Sequence, residues 1–440
     1  MKAIAQYLDL FHEQRALLEG HSTPQLNALR DAAAAAFERM GFPSRKVERY
    51  RYTDVAEAFA PNYGLNLSRL RIPVNPYEAF RCDVPNLSTS VYFVVNDSFY
   101  REALPKAQLP EGVVVDSRHV PEATISSSFD LNDDPIAALN TMLAQECLTI
   151  YVPAGTQVSR PIQVVNILRS AVPLMTNRRL RIVAEAGSEV RLLFCDHAAD
   201  DIDFLTTQVM EISVGENAHV ELYELEETHS RCHRFAHLYA DVAAGGHLSH
   251  ATLTLTNGVT RNQTDVRLSG TGAEVCLYGC AIADGTQHID NNTLIEHIAP
   301  GCRSRELYKY VVDGQATGAF AGRVLVQQKA QQTDSQERNA NLVCTPEARM
   351  YTQPMLEIYA DDVQCSHGST VGQLSDEALF YMRQRGIPED EARLLLKQAF
   401  ASEVIDHITL EPLRNRLHHL VDKRFRGELN HCRECKLCRK

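Results

Sequence analysis

The sequence lacks a Gly-Lys dipeptide, so it has no phosphate-binding loop of the Gly-Lys-Ser/Thr type. It also lacks the Gly-x-Gly-x-x-Gly turn of dinucleotide-binding domains and the Gly-x-Ser-x-Gly elbow of serine hydrolases. We therefore expect a chain that is not itself an enzyme of these classes and that binds no ATP by this route.

Long apolar runs are missing as well, since no window approaches the roughly 18 consecutive apolar residues of a membrane-spanning helix. The N-terminus does not show the basic-then-apolar order of a signal peptide. Twelve cysteines without such a peptide are typical of a reducing compartment, where thiols stay free, bind metal or react. We expect a cytoplasmic protein without a membrane partner.

Positive charge is in deficit. The chain has 44 Lys and Arg against 56 Asp and Glu, a net charge of -12. Such a surface repels a phosphate backbone, which argues against nucleic acid as a partner.

The length of 440 residues allows two or three domains. Residues 1–87 are predicted to form a helical domain and a transition segment, beginning with a helix that Thr23 caps. The residues that would share one face of this helix recur at spacings of three and four: Leu26, Leu29, Ala33 and Phe37.

Residues 88–370 show one short strand pattern after another, so the protein is expected to be mainly β. Val190, Val220, Leu248 and Val275 follow small-residue turns and stand 30, 28 and 27 residues apart. This repeat fits a solenoid of stacked coils, each burying its apolar side against the next. An antiparallel sandwich with similar turns is the alternative that the repeat leaves open.

Residues 371–440 return to a helical pattern with an apolar stripe that includes Leu396, Phe400 and Val404. Such a stripe either packs inside the molecule or presents a face to another protein. The spacing by itself does not decide between the two.

Cys365 and His367 are separated by one residue after a predicted strand. If the strand continues through them, both side chains point to one face, with Cα atoms ~6–7 Å apart. An imidazole beside a thiol can favour the thiolate, which is the form that binds metal or attacks sulfur.

The C-terminal tail contains Cys432, Cys435 and Cys438, with His431 just before them. Three thiolates at this spacing can bind one zinc ion or iron cluster, so the tail is a candidate metal site. A frayed tail with spare thiols is the alternative. A third set, His229, His233 and His237, is predicted to be solvated in a loop.

Several segments closely resemble the SufB/SufD family. The longest is 354–372, PMLEIYADDVQCSHGSTVG, and others are 320–324, 332–334, 339–342, 378–387 and 48–53. The resemblance therefore covers nearly the whole chain. The Cys-Ser-His-Gly form is similar to the SufD branch, and Cys344 lacks the Gly-Ala-His that follows the sulfur-accepting cysteine of the SufB branch.

The resemblance implies a right-handed parallel β-helix flanked by N- and C-terminal helical domains. It implies an iron–sulfur cluster assembly scaffold that pairs with a SufB-like subunit and docks a SufC-like ATPase on its C-terminal helices, where Leu396, Phe400 and Val404 lie. Cys365 and His367 match residues at the SufB interface, where a transient, nascent Fe–S cluster is thought to form. Reduced flavin is associated with family complexes, although no flavin site is identified in this sequence.

Three alternatives remain at this point. The chain could play the SufB role, and in isolation it could form a homodimer. The coil repeat alone also fits a carbohydrate-active β-helix enzyme, because a fold does not fix a function.

Overall fold

The computed structural model describes residues 2–76, 84, 86–105, 108–119, 121 and 130–429. Its helices are α1 (Lys2–Glu13), α2 (Arg15–Gly20), α3 (Pro24–Asn27), α4 (Arg30–Met40), α5 (Val55–Phe59), α6 (Pro135–Leu143), α7 (Asp376–Gln384), α8 (Glu389–Ile405) and α9 (Glu411–Phe425). None of the helices within these residues is long and apolar enough to cross a membrane.

The strands are β1 (Ser90–Val95), β2 (Ser98–Phe99), β3 (Val114–Asp116), β4 (Leu148–Val152), β5 (Ile162–Leu168), β6 (Leu174–Ala184), β7 (Glu189–Ala198), β8 (Phe204–Val214), β9 (His219–Glu227), β10 (Cys232–Val242), β11 (His247–Thr256), β12 (Val259–Leu268), β13 (Glu274–Ala283), β14 (His288–His297), β15 (Arg303–Val312), β16 (Thr317–Val326), β17 (Thr333–Val343), β18 (Arg349–Ile358) and β19 (Val363–Gly372). They occupy most of the zone that the sequence predicts to be β.

Two sheets face each other across the core. One sheet has the order β19-β17-β15-β13-β11-β9-β7-β5-β1-β2, and the other has the order β18-β16-β14-β12-β10-β8-β6-β4-β3. Neighbouring strands from β4 to β19 are parallel, and antiparallel pairs join β1 to β2 and β3 to β4. Each coil thus adds one strand to each sheet. The predicted parallel β-helix is confirmed, and the sandwich alternative is wrong.

The predicted apolar repeat is a real row of side chains inside this solenoid. Val190, Val220, Leu248 and Val275 are successive Cα partners, and all four are fully buried. The stacking removes each of these side chains from water, and the four positions stay in register although the coils differ in length.

The first helices pack against the start of the solenoid. Thr23 accepts a hydrogen bond from the backbone of Leu26, as expected for a cap. The single predicted helix is instead two, because the chain turns between α3 and α4. That turn leaves Leu29 44% exposed, whereas Phe37 is buried. The prediction that Leu29 shares the buried face is wrong for this reason.

A short segment around Tyr50 ties the N-terminal region to the outer face of the β4–β18 sheet. The Tyr50 hydroxyl donates to Asp134, and Thr53 donates to Asp290 in β14. Arg49 forms an ion pair with Asp265 in β12. These contacts join residues more than 80 positions apart in sequence.

The predicted histidine loop is wrong. His233 and His237 lie in β10, and His237 is buried with its Nδ1 3.2 Å from a carboxylate oxygen of Asp134. Desolvation lowers the pKa of His237 to about 4, so the ring is neutral. His229 precedes the strand and lies 3.5 Å from the Cys232 sulfur.

The C-terminal helices lie against the outer face of the other sheet. Ser375 accepts a hydrogen bond from Ala378 and so caps α7, and Gly386 ends that helix with a φ of 84°. Leu417 and Leu420 of α9 are buried in one apolar cluster with Leu253 and Leu307 of the solenoid. The domain boundaries at 87 and 370 stay a prediction.

Candidate functional site

The solenoid is open at its last coil. Among the described strands, β19 pairs only with β17 and β18 pairs only with β16. Such edges present unpaired N–H and C=O groups to which another chain can add. Three apolar side chains of this coil are 39–52% exposed: Tyr351, Ile358 and Val371. The open end therefore has the character of an interaction surface.

Cys365 and His367 lie on the inner face of β19, at this open end. Their Cα partners in β17 are Ser335 and Glu337, which are only 1% and 3% exposed. Because these two partners point into the solenoid, the side chains above them do so as well. Cys365 is half-buried against the last apolar layer, which includes Val324, whereas His367 is exposed.

The thiol of Cys365 is protonated near neutral pH. Burial raises its pKa above the ordinary value, and the negative charge of Asp334 adds to that shift, while a backbone hydrogen bond from Ser335 opposes it. That the neighbouring imidazole favours the thiolate stays a prediction. Coordination of a metal ion by this thiol would displace its proton.

A hydrogen-bonded row of polar side chains lies beneath Cys365. His297 of β14 is 2.9 Å from the Ser304 hydroxyl, and Ser304 donates to Ser335 over 2.7 Å. Ser304 and Ser335 follow Val275 in the same row of interior side chains, so this row changes from apolar to polar in the last coils. Polar groups at this depth are favourable only when bonded, as they are here.

Sequence reasoning missed two carboxyl groups next to this row. Glu306 of β15 and Glu337 of β17 are Cα partners and are 4% and 3% exposed. Glu337 is in turn the partner of His367. The carboxyl of Glu337 fills the space that a side chain at Gly322 would take, because a Cβ there would come within 2.2 Å of its Oε1.

Among the described residues, neither carboxyl forms an ion pair, and all four of their oxygens are buried. The nearby hydroxyl of Thr293 in β14 is the polar group that acts on Glu306, and it opposes the upward shift of the Glu306 pKa. Burial raises the pKa of Glu306 to about 7. Burial together with the charge of Glu306 raises the pKa of Glu337 to about 9. A signal existed in the sequence, since Glu306, Glu337 and His367 are 31 and 30 residues apart, but the strand register was needed to use it.

The helical stripe predicted to bind a partner is only partly available. Val404 is fully buried against the solenoid, so this residue has a core role and the prediction that it contacts a partner is corrected. Phe400 and Leu396 are half-buried. Lys309 of β15 donates to the Phe400 carbonyl over 3.0 Å and lies 4.2 Å from the centre of its ring.

More exposed apolar side chains lie on α7 and at another position of α8. Phe380 and Tyr381 of α7 are 64% and 59% exposed, and Leu395 of α8 is 36% exposed. In the sequence, Phe380 and Tyr381 fall in the family-like segment 378–387, and Leu395 widens the apolar stripe of the next helix. We call Phe380, Tyr381 and Leu395 the helical patch.

Two sets of residues are candidates for metal binding: the pair Cys365 and His367, and the cysteines of the C-terminal tail. In the part of the chain that the structure describes, no group of three or more His, Cys, Asp and Glu side chains converges as a metal site. Cys365 and His367 would supply two ligands, whereas an Fe–S cluster is held by four. The predicted tail site of Cys432, Cys435 and Cys438 lies outside the described residues and stays a prediction.

The chain is similar to known proteins over most of its length. Residues 167–400 match the family model "SUF system FeS cluster assembly, SufBD core domain", and residues 1–164 match the model of the SufBD protein N-terminal region. The first match takes in both Cys365 and His367, and it ends within α8.

Individual relatives agree with these models. The chain is 30% identical to the iron–sulfur cluster assembly protein SufD of Escherichia coli, over 88% of this chain and 90% of that protein. It is 28% identical to a SufBD family protein of Synechocystis, over 94% of both chains. A chloroplastic protein of Arabidopsis thaliana, ABCI7, is 26% identical over 91% of this chain.

Membership of this family argues against the carbohydrate-active alternative, which rested on the coil repeat alone. The resemblance found in the sequence is confirmed by the family models and by the relatives. We conclude from these matches, with which the parallel solenoid and its open end agree, that the chain belongs to the SufBD family of iron–sulfur cluster assembly proteins and is SufD-like.

Proposed function

We propose that this chain is a non-enzymatic scaffold subunit that completes its assembly site by pairing with a SufB-like subunit. The observation that carries this proposal is the open last coil, where Cys365 and His367 face inward and the edges of β18 and β19 are unpaired. A second solenoid that joins these edges continues both sheets and covers the exposed Val371.

In this arrangement the nascent Fe–S cluster is cargo held between two chains. Cys365 supplies a thiolate and His367 an imidazole nitrogen, and the SufB-like subunit supplies the remaining ligands. Both residues lie at the rim of the solenoid end rather than deep within it, so groups from a facing chain can reach the same ions. Separation of the two chains would then expose the cluster for transfer.

A SufC-like ATPase docks, in this proposal, on the helical patch. Phe380 and Tyr381 present apolar rings on a helix that buries only Leu379, so the helix has area to offer a partner. The partner supplies the phosphate loop that this sequence lacks. The reduced flavin associated with the family is assigned to the complex, and the absorption spectrum of the purified complex checks that assignment.

The experiment is a pull-down with three matched substitutions of an exposed apolar residue by aspartate. Val371→Asp at the open end should abolish recovery of the SufB-like subunit and retain the ATPase. Phe380→Asp on the helical patch should do the reverse. Val172→Asp, which is 58% exposed in the loop between β5 and β6, should retain both.

Two results would count against the proposal. Retention of the SufB-like subunit by Val371→Asp would show that the open end is not the pairing surface. Recovery of a second copy of this chain in place of a SufB-like subunit, measured by mass in solution, would show that the open end serves a homodimer instead.

A further inference from the structure

A cleft of about 350 Å³ lies beside β1 and β2, at the end of the solenoid opposite to Cys365. This volume is within the range of sites that take small molecules, ~300–1,000 Å³. Four arginines line the cleft, Arg69, Arg71, Arg101 and Arg118, although the chain has a net charge of -12. Guanidinium groups are the side chains that suit carboxylate and phosphate oxygens best, so the cleft has the donors of an anion site.

Arg69 is fixed at one wall of the cleft by an internal carboxylate. Its Nη1 donates to Asp97 over 2.5 Å and to the Ser98 hydroxyl over 2.7 Å, and its Nη2 donates to the Asp97 carbonyl over 3.4 Å. The side chain is only 12% exposed. These contacts leave part of the five N–H groups of the guanidinium unused. Because its orientation is already set, binding of a ligand needs little further ordering of this side chain.

Arg101 is held in the same manner. Its Nη2 donates to Asp116 over 2.8 Å and to the Ser117 hydroxyl over 2.6 Å, and its Nη1 donates to Glu146 over 3.4 Å. The guanidinium carbon also lies 5.2 Å from the ring centre of Phe99. Two of the four arginines are therefore positioned by groups of the fold itself.

Arg71 and Arg118 are the exposed arginines of the cleft. Arg71 pairs with Glu102, and both side chains of this pair are more than half exposed. Arg118 forms no ion pair within the part of the chain that the structure describes, so its charge is not offset at close range. An exposed pair contributes at most ~1 kcal/mol to stability, so a doubly charged ligand can take the place of Glu102 on Arg71.

The cleft also has apolar side chains. Leu70 is exposed and Ile72 is half-buried, while Val95 and Phe99 are buried in the wall behind them. These residues offer a contact surface to the hydrocarbon part of a ligand, which an inorganic ion does not use. A cleft with both features suits an organic molecule that carries an anionic group.

A second, buried cavity lies directly behind the cleft, and Phe99 and Glu146 line both. Asn166 and Arg178 line this inner cavity and are 1% and 3% exposed. Neither polar atom of the Asn166 amide and not the Nη2 of Arg178 has a hydrogen-bond partner among the described residues. The inner cavity measures about 10 Å³, the room that one water molecule needs to bridge these groups to Glu146. The back of the cleft therefore has unused polar groups within reach of a bound molecule through one water.

We propose that this cleft binds a small organic phosphate, with the phosphate group among Arg71, Arg101 and Arg118 and the apolar part against Leu70. A phosphate monoester has three terminal oxygens and a charge of about -1.5 to -2 at pH 7, so it uses donors from several arginines at once. A single carboxylate has two oxygens and one charge, and it leaves some of these donors unused. The site is at the other end of the solenoid from Cys365, so this inference does not depend on the proposed function.

The experiment is a calorimetric titration of the full chain alone with three probes: phenyl phosphate, inorganic phosphate and benzoate. Phenyl phosphate should bind one to one and several-fold more tightly than inorganic phosphate, because only the ester contacts the apolar wall. It should bind at least tenfold more tightly than benzoate, because benzoate carries less charge on fewer oxygens. Absence of saturable binding, or an equal affinity for either of the other two probes, would overturn the proposal.

A pair of arginine variants locates the bound molecule. Arg118→Gln should weaken the binding of phenyl phosphate about tenfold, since it removes a charge-assisted hydrogen bond. Arg303→Gln is the matched control, because it removes an exposed arginine at the start of β15 and should keep the wild-type affinity. Both side chains are exposed, so both variants should keep the wild-type unfolding temperature. Equal affinities of the wild type and Arg118→Gln would overturn the assignment to this cleft.

A pair of glutamate variants tests the displacement at Arg71. Glu102→Gln removes the carboxylate that pairs with Arg71 and should tighten the binding of phenyl phosphate several-fold. Glu216→Gln removes an exposed carboxylate in the turn between β8 and β9 and should leave the affinity unchanged. Equal tightening in both variants would show that binding follows the net charge of the chain, which would overturn a specific site.

Discussion

Cys365 lies in the same interior row of side chains as Val275, three coils away along the solenoid. The two positions between them are Ser304 and Ser335. The row that builds the apolar core therefore becomes polar as it approaches the open end, and it ends on a thiol. The candidate site is therefore built from the strands of the solenoid and not from an added loop.

The reactivity of Cys365 follows from its burial. Because its pKa is raised, the thiol of the isolated chain should react with iodoacetamide at pH 7.5 more slowly than free cysteine. The rate should rise as the pH is raised, since more thiolate forms. Peptide-level mass spectrometry separates Cys365 from the other cysteines. A rate above that of free cysteine would show an activated thiolate and contradict this description.

The stability of the chain should fall between about pH 5 and pH 9. Glu306 and Glu337 have pKa values raised to about 7 and about 9, so the folded state holds protons that the unfolded state has already released. Their favourable contribution is complete below the unfolded pKa of about 4.3 and is lost as the pH rises through the folded values.

Urea denaturation at several pH values checks this dependence. The double variant Glu306→Gln/Glu337→Gln should show a flatter profile than the wild type over that window, because amides do not titrate. If the stability instead rises from pH 6 to pH 9, and by the same amount in the wild type and in the double variant, the raised pKa values are ruled out.

The segment around Tyr50 should act as a clamp for the N-terminal region. Tyr50→Phe removes the buried hydroxyl that donates to Asp134, and we expect the free energy of unfolding to fall by about 1–3 kcal/mol. Tyr52→Phe is the matched control, because that hydroxyl bonds to a partly exposed Gln353 and its loss should cost less than about 0.5 kcal/mol. Equal losses for both variants would show that the clamp adds nothing.

The cysteine-rich tail is predicted to be separable from partner docking. Deletion of residues 432–438 should leave binding of the SufC-like ATPase intact, because the helical patch lies on α7 and α8. Elemental analysis of the deletion variant tests the tail as a metal site, since bound zinc or iron should be lost with Cys432, Cys435 and Cys438. Unchanged metal content would leave the tail without that role.

The coil period could be predicted from sequence because Val190, Val220, Leu248 and Val275 are apolar and follow similar turns. The same periodicity could not reveal Glu306 and Glu337, because a polar residue in an interior row looks like an exposed one until the register is known. Spacing alone puts Leu29 on the wrong face because it does not show where a helix breaks. The sequence pattern predicts a loop at His237 because the partner of this residue, Asp134, is about a hundred residues away.

The spacing of Cys365 and His367 predicts that their side chains lie on one face of a strand, but it does not predict the surroundings of that face. It could not show that this face is the inside of the solenoid, that burial raises the thiol pKa, or that a carboxyl pair lies behind the imidazole. Those features depend on strands β15 and β17, which come from other coils.

The most direct test of the central claim is anaerobic cluster reconstitution on the complex of this chain with its SufB-like and SufC-like partners. Iron and sulfide bound per complex should fall several-fold for Cys365→Ser and for His367→Ala. Ser366→Ala, on the outer face of the same strand, should keep the wild-type yield. An unchanged yield in both Cys365→Ser and His367→Ala, with the complex intact, would show that the open end of this solenoid is not the assembly site.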